Sequence, residues 1–184
     1  PDGRPLLWKN RDTDFMQNHI DYVKGEKYNF IAVVNSANAY LKEAWMGTNS
    51  SGFALMNTQS YNLVDVKGDE ERGAANGRVI YRALEVCATV EDFCHFLDTI
   101  SKPSDIEANF GVIDAQGGAA MFEVDYHKYV MYDANNPKDA PYGYIARTNF
   151  SFAGKVNEGA GYVRYMEADQ VLMKASATGS ITPQ

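Results

Sequence analysis

The chain has 184 residues, 45% of them hydrophobic, with a formal net charge of −7 and a pI near 4.9. That length suits one domain with a sizeable core, and no segment approaches the ~20 consecutive apolar residues of a spanning helix. An acidic surface repels phosphate backbones and anionic lipid, which excludes nucleic acid and membrane as main partners but not a small anion held by local charge.

Pro1-Asp2-Gly3 is turn chemistry, and residues 5–9 (PLLWK) read as a strand directly after it. A hairpin turn needs a strand on each side, so a further strand is expected before Pro1 and the chain reads as incomplete at that end. Residues 28–34 (YNFIAVV) read as a buried strand from their β-branched and aromatic content. Residues 39–47 are ambiguous, 47–52 (GTNSSG) form a turn cluster, and 53–57 (FALMN) a short strand. Residues 66–77 are charged and Gly-rich, the composition of a solvated loop.

Val79, Ile80, Ala83, Leu84 and Cys87 recur at helical period within 78–87. Thr89, with Asp92 three positions on, comes close to a capping box for a second helix over 89–100, whose apolar positions are Val90, Phe93, Leu97 and Ile100. Residues 109–113 and 119–125 form a hairpin across the Gly-containing connection 114–117. Residues 128–134 add a strand, Asn135-Asn136-Pro137 a turn, and 142–149 another strand. From about Gly161 to Ala175 the pattern is helical, and the end (ATGSITPQ) reads as a loop cut short. Strands are grouped rather than alternating with helices, which is α+β with antiparallel sheet.

Familiar catalytic signatures are missing. There is no GxSxG elbow, Walker loop or GxGxxG. His19, His95 and His127 lack metal-ligand spacing, so no metal or other cofactor is called for. Cys87 and Cys94 are too few for a disulfide framework and read as small buried hydrophobes. Polar residues at strand ends remain. Asn57 shares strand phase with the core-facing Phe53 and Leu55, so its amide needs hydrogen-bond partners or a task; a satisfied turn residue is the plainer alternative. Asn149 closes YIARTN (144–149) and precedes Phe150 and Phe152. Lys9 and Asp12 fall on opposite faces if the strand alternates strictly, and serve one site only if it bends near residue 10. Arg164 also fits an ordinary helix-surface arginine.

Taken together, these segments resemble the choloylglycine hydrolase, penicillin V acylase and isopenicillin N acyltransferase-like group of N-terminal-nucleophile (Ntn) hydrolases. WKNRD (8–12) sits on the family's G-R-N-x-D-like motif: Asn10 and Asp12 match, and Lys9 stands where Arg is usual. WMGTNSSGFALMN (45–57) resembles the G-x-N-x-x-G-x-A-x-x-x-N stretch. ARTNF (146–150) resembles the T-N motif, and YVRYMEA (162–168) the S-x-x-R-Y segment without its serines. The ordered set runs along nearly the whole chain.

The resemblance implies a four-layer αββα sandwich with two antiparallel sheets, of which residues 1–184 are one partial domain, incomplete at both ends. It implies a nucleophilic Cys on a strand preceding Pro1, with autoproteolytic processing, and catalytic roles for five residues. Lys9 would sit beside the thiol, Asp12 would hold the thiol and the α-amine, Asn57 and Asn149 would donate to the oxyanion, and Arg164 would complete the ion network. The substrate would be a small-molecule N-acyl amide: a conjugated bile acid, an acylated amino acid, a penicillin-like amide or a peptide. Trp8, Phe15, Met16, Tyr22, Trp45 and Tyr61 are candidates for an apolar acyl pocket, with core packing the alternative for each. Neither Cys87 nor Cys94 can replace the missing nucleophile. The chain alone is therefore expected to be inactive, and a non-catalytic binding module on the same fold is the alternative function. A structural domain is a third reading. Self-association into a homo-oligomer and the compartment, cytoplasmic or exported, both stay open.

Overall fold

Period-two burial builds the sheet. In β2 (Phe30–Asn35), Phe30, Ala32 and Val34 are buried and Ile31 is exposed on the other face. β4 (Ala54–Gln59) alternates in the same way, whereas β5 (Ala108–Ile113) and β6 (Ala119–Val124) are buried on both faces; Leu55, Phe110, Val112, Phe122 and Val124 point to the core. With β1 (Asn18–Val23), β3 (Met46–Asn49) and β7 (Tyr129–Asp133), these strands form one antiparallel sheet in sequential order β1-β2-β3-β4-β5-β6-β7. The computed structural model describes residues 3–63, 73, 75–155 and 157–182.

Two helices inserted between β4 and β5 cover the core face. α1 (Asn76–Val86) buries Val79, Ile80, Ala83 and Leu84. α2 (Val90–Thr99) starts with a complete capping box: Thr89 Oγ1 accepts from the Asp92 amide, and the Asp92 carboxylate accepts from the Thr89 amide. Satisfying both orphan donors fixes where the helix begins. Phe93 of α2 is the hub of the core, its ring meeting Phe53, Phe96, Phe110 and Phe122 at 5.1–6.3 Å between centroids. The contacts with Phe110 and Phe122 are edge-to-face, a geometry that adds about 0.5–1.5 kcal/mol per pair beyond area burial.

The 45–57 stretch divides its work. A Cβ on Gly47 would come within 2.6 Å of the Ile31 carbonyl and of Leu84, so glycine lets α1 approach the sheet. Asn49 is buried; its amide donates to the Leu84 and Cys87 carbonyls and closes α1, while its oxygen accepts from Ser51 and Phe53. Gly52 adopts φ +84° in the intervening turn, a conformation that costs glycine little. These residues are scaffold, and they fix the register that delivers Asn57 just beyond the last β3–β4 pair.

Several expectations need correction. Residues 5–9 and 142–149 are not strands. The first segment is extended but pairs with no ladder, and the second is held by side chains, as described below. β1, not foreseen, precedes β2, and the ambiguous 39–47 stretch splits between a 3-10 helix (Ser36–Leu41) and β3. The loop over 66–77 and the opening turn fall largely outside the described residues. The described residues form one seven-stranded sheet of the expected sandwich. α3 (Gly159–Ala177) is present, but only Gly161 of it is buried. No described helix is long and apolar enough to cross a membrane.

Candidate active site

Residues 5–13 alternate in burial: Leu7, Lys9 and Arg11 face inward, while Leu6, Trp8, Asn10 and Asp12 face solvent. The segment crosses the sheet face opposite the helices. Leu7 lies against Gly111 of β5, where a Cβ would come 2.9 Å from its Cδ1 and 3.1 Å from Met56. Glycine at 111 is the seat for Leu7, and it sets where Lys9 lands.

Lys9 reaches the point at which β3 and β4 part. Their register ends at Met46↔Met56, so Trp45 and Asn57 are the next, unbonded pair. The Lys9 ammonium fills that gap, donating to the Trp45 carbonyl at 2.9 Å and to Asn57 Oδ1 at 3.1 Å. Burial pulls the Lys9 pKa down from 10.5 to about 7, and the neighbouring Arg11 cation acts in the same direction. Arg11 donates to Asn18 and Asn35 and stands 5.1 Å over the Trp45 ring. Burial lowers its pKa too.

The lowered Lys9 pKa has a consequence for stability. The folded chain releases this proton near pH 7 and the unfolded chain near 10.5. The unfolded state therefore binds more protons between those values, and the Lys9 contribution to stability rises with pH across that window. Lys9→Met is expected to remove that positive slope. Urea-unfolding free energies of both proteins over the lower part of the window check it; identical slopes would show that Lys9 titrates normally.

Asn149, in a loop, docks two residues further along β4, at Gln59. Its Nδ2 donates to the Gln59 carbonyl at 2.8 Å, its Oδ1 accepts from Arg164 at 2.6 Å, and its carbonyl accepts from the Tyr61 amide. Asn57 and Gln59 are roughly 7 Å apart along β4 by strand rise. Arg164 comes from the first turns of α3, which packs directly on Asn149: a Cβ on Gly161 would lie 2.6 Å from the Asn149 carbonyl oxygen, and Thr148 Oγ1 donates to the Gly161 carbonyl.

Two carboxamides are thus arranged alike. Each presents its oxygen to a cation, Lys9 on Asn57 and Arg164 on Asn149, which assigns the amide orientation, because a cation cannot donate to an amide nitrogen. The Asn57 –NH2 has no other partner among the described residues, and one N–H of Asn149 remains beyond Gln59. Donors polarised this way suit an oxygen that gains negative charge.

The loop carrying Asn149 is pinned by buried polar side chains on the sheet face opposite the core. Asn109 and Glu123 are cross-strand partners in β5 and β6. Glu123 accepts from Arg147 at 2.5 Å and from the Phe152 and Ala153 amides. Asn109 donates to the Thr148 and Phe150 carbonyls. Sequence reasoning gave no site role to Arg11, Asn109, Glu123 or Arg147; for Asn109 and Glu123 the available signal was an amide or a charge within an otherwise apolar strand.

Four of the five expected residues, Lys9, Asn57, Asn149 and Arg164, gather around β4. Asp12 does not join them: alternation continues through residue 13, and its carboxylate is exposed with no hydrogen-bond partner among the described residues. The six aromatic and Met residues form no enclosed pocket. Trp8, Phe15, Met16, Tyr22 and Tyr61 are all more than half exposed, and Trp45 lies under Arg11. A cavity of about 310 Å³ lies elsewhere, between the start of α1 and the end of α2. Cys87 is buried, with its thiol pushed up to about 12 by desolvation. No group of His, Cys, Asp or Glu among the described residues is arranged to hold a metal ion.

The fold is that of the Ntn hydrolases. It is shared with a variant of conjugated bile acid hydrolase from Clostridium perfringens at TM-score 0.56 and 11% identity, over 92% of this chain and 68% of that one. A family model, acyl-coenzyme A:6-aminopenicillanic acid acyl-transferase, matches residues 1–168, and the chain belongs to that family. Similarity also extends to a second variant of the Clostridium perfringens hydrolase (TM-score 0.48, 13% identity, 86% of this chain and 60% of that one) and to penicillin V acylase from Agrobacterium tumefaciens (0.43, 19%, 84% and 55%). Among curated proteins, none matches the chain significantly.

Proposed function

We propose that residues 1–184 are part of a single αββα Ntn-type domain that cleaves or transfers the acyl group of an N-acyl amide, with a cysteine nucleophile upstream of Pro1. The observation that carries this reading is the pair of cation-backed carboxamides, Asn57 on β4 and Asn149 docked against it at Gln59. The family match and the length of the bile acid hydrolase, of which this chain covers 68%, support it.

In this mechanism the cysteine sulfur attacks the amide carbonyl, and its proton passes to the chain's own neutral α-amine, the general base. The carbonyl oxygen becomes an oxyanion that accepts from Asn57 and Asn149. Collapse breaks the C–N bond, the α-ammonium returns its proton to the leaving amine, and a thioester remains. Water or a second amine then takes the acyl group. Lys9 holds Asn57 and, when protonated, favours the thiolate. Asp12, unpaired, is free to take the α-ammonium in a charge-assisted bond. The substrate class is a conjugated bile acid, an acylated amino acid or a penicillin-like amide.

A non-catalytic binding module on the same fold is the second reading, favoured by the unpartnered Asp12. Intact mass and N-terminal mapping of the full-length gene product, with and without an alkylating agent, separate the two. A mature chain opening on a rapidly alkylated Cys upstream of Pro1 supports the enzyme, and a chain without one supports the binder. In the enzyme, Asp12→Asn is expected to fold normally and lose most of its turnover. Unchanged kcat would remove Asp12 from the mechanism.

A further inference from the structure

Asn109 is fully buried in the middle of the sheet, on the face away from the hydrophobic core. An amide there is costly unless every group is satisfied. Its Nδ2 donates at 3.0 and 3.1 Å to the carbonyls of Thr148 and Phe150, the residues on either side of Asn149. Its Oδ1 accepts from Ser151 Oγ. Ser151 Oγ also lies 2.8 Å from Ser60 Oγ. Asn62 closes the ring by accepting from the Ser151 amide and donating to the Ser151 carbonyl. This loop has no strand ladder of its own, so these bonds take the place of one.

We infer that Asn109 is a positioning residue: it fixes the backbone on both sides of Asn149 and thereby aims the Asn149 amide. The inference rests on the proposed role of Asn149 for its catalytic consequence and on the hydrogen bonds alone for its structural one. A carboxamide donating to both flanking carbonyls leaves the intervening residue little freedom to rotate. Misplacement of about 1 Å at a reacting centre can cost ~10²-fold in rate.

The probe is Asn109→Asp in the full-length protein, the same shape without the two donors, with Ser151→Ala as the companion that leaves both donors in place. Two readouts are taken. The Tyr61 amide, bonded to the Asn149 carbonyl, reports the loop by hydrogen exchange, with the Ala44 amide, bonded to Gly77, as an internal control. Asn109→Asp is expected to speed Tyr61 exchange at least about tenfold relative to Ala44, with Ser151→Ala nearer wild type. An unchanged ratio, or a parallel rise at both amides, overturns the inference. The second readout is turnover per folded molecule. Asn109→Asp is expected to lower kcat by about tenfold or more with little change in KM, and to add almost nothing in an Asn149→Ala background. Full multiplicative loss in that background also overturns it. If the wild-type protein turns over no amide, the proposed function fails and the exchange ratio alone decides whether Asn109 positions Asn149.

Discussion

Asn149→Ala in the full-length enzyme is expected to lower kcat by about 10²- to 10³-fold, the usual cost of losing one oxyanion donor, with a much smaller change in KM. On the proposed mechanism Asn149 donates to the oxyanion, and its surroundings leave it a donor for that. Its oxygen is occupied by Arg164, one N–H by the Gln59 carbonyl and its backbone by Tyr61 and Gly161, and one N–H is left over. Steady-state kinetics on any amide the wild-type protein cleaves give the answer, with circular dichroism to confirm folding. A kcat within about threefold of wild type would take Asn149 out of the chemistry.

Glu123→Ala is expected to be the most damaging single change to stability, costing about 3–5 kcal/mol. The Arg147–Glu123 pair is almost completely buried, with side chains 2% and 0% exposed. Removing the carboxylate strands a guanidinium that otherwise meets only the Ala146 carbonyl and the rings of Phe152 and Tyr132. It also leaves the Phe152 and Ala153 amides without their acceptor. Replacing both partners by apolar residues, Glu123→Leu with Arg147→Met, is expected to recover much of the loss, because the desolvation of both charges is then relieved. Urea unfolding measures all three proteins. A cost below about 1 kcal/mol for Glu123→Ala would mean that the pair behaves as a solvated surface bridge.

Where periodicity was strong, the fold was legible. The helical spacing of Val79, Ile80, Ala83 and Leu84, and the Thr89–Asp92 signature, located α1 and the start of α2 to within two residues, because local propensity, capping and burial all agree there. The strand expected over 142–149 failed for an instructive reason. Its aromatic content suited a strand, but the Thr148 carbonyl accepts from Asn109 and the Asn149 carbonyl from the Tyr61 amide, and hydrogen bonds from distant parts of the chain leave no periodic trace. Residues 5–9 failed in the opposite way: the alternation was real, but what lies beside them is Gly111 and a gap between strands rather than a ladder partner. β1 escaped notice because half of it is polar on an edge strand.

At the site, the motif residues Lys9, Asn57, Asn149 and Arg164 could be picked out because they matched a family pattern. Their grouping in pairs could not, since it depends on where β3 and β4 separate. Asp12 illustrates the limit. The strict two-residue alternation gave its orientation correctly, and the motif match argued for the contrary placement.

The sequential order of the strands also bears on how the molecule assembles. Each neighbour in the sheet is also a neighbour in the chain, so most pairings close short loops and form early at little entropic cost. The β4–β5 pairing is the exception, because the helix pair must be spanned first. Leu7 straddles that seam, Asn149 reaches across it from beyond β7 to Gln59, and Ser151 bonds residues on both sides of it. A molecule with both halves folded and the seam open would keep Lys9 against Asn57 but leave Asn149 and Arg164 away from Gln59, so the proposed pair of carboxamides would not be assembled. On the proposed function, turnover would then require this long-range closure, and half-assembled chains would contribute mass and no turnover.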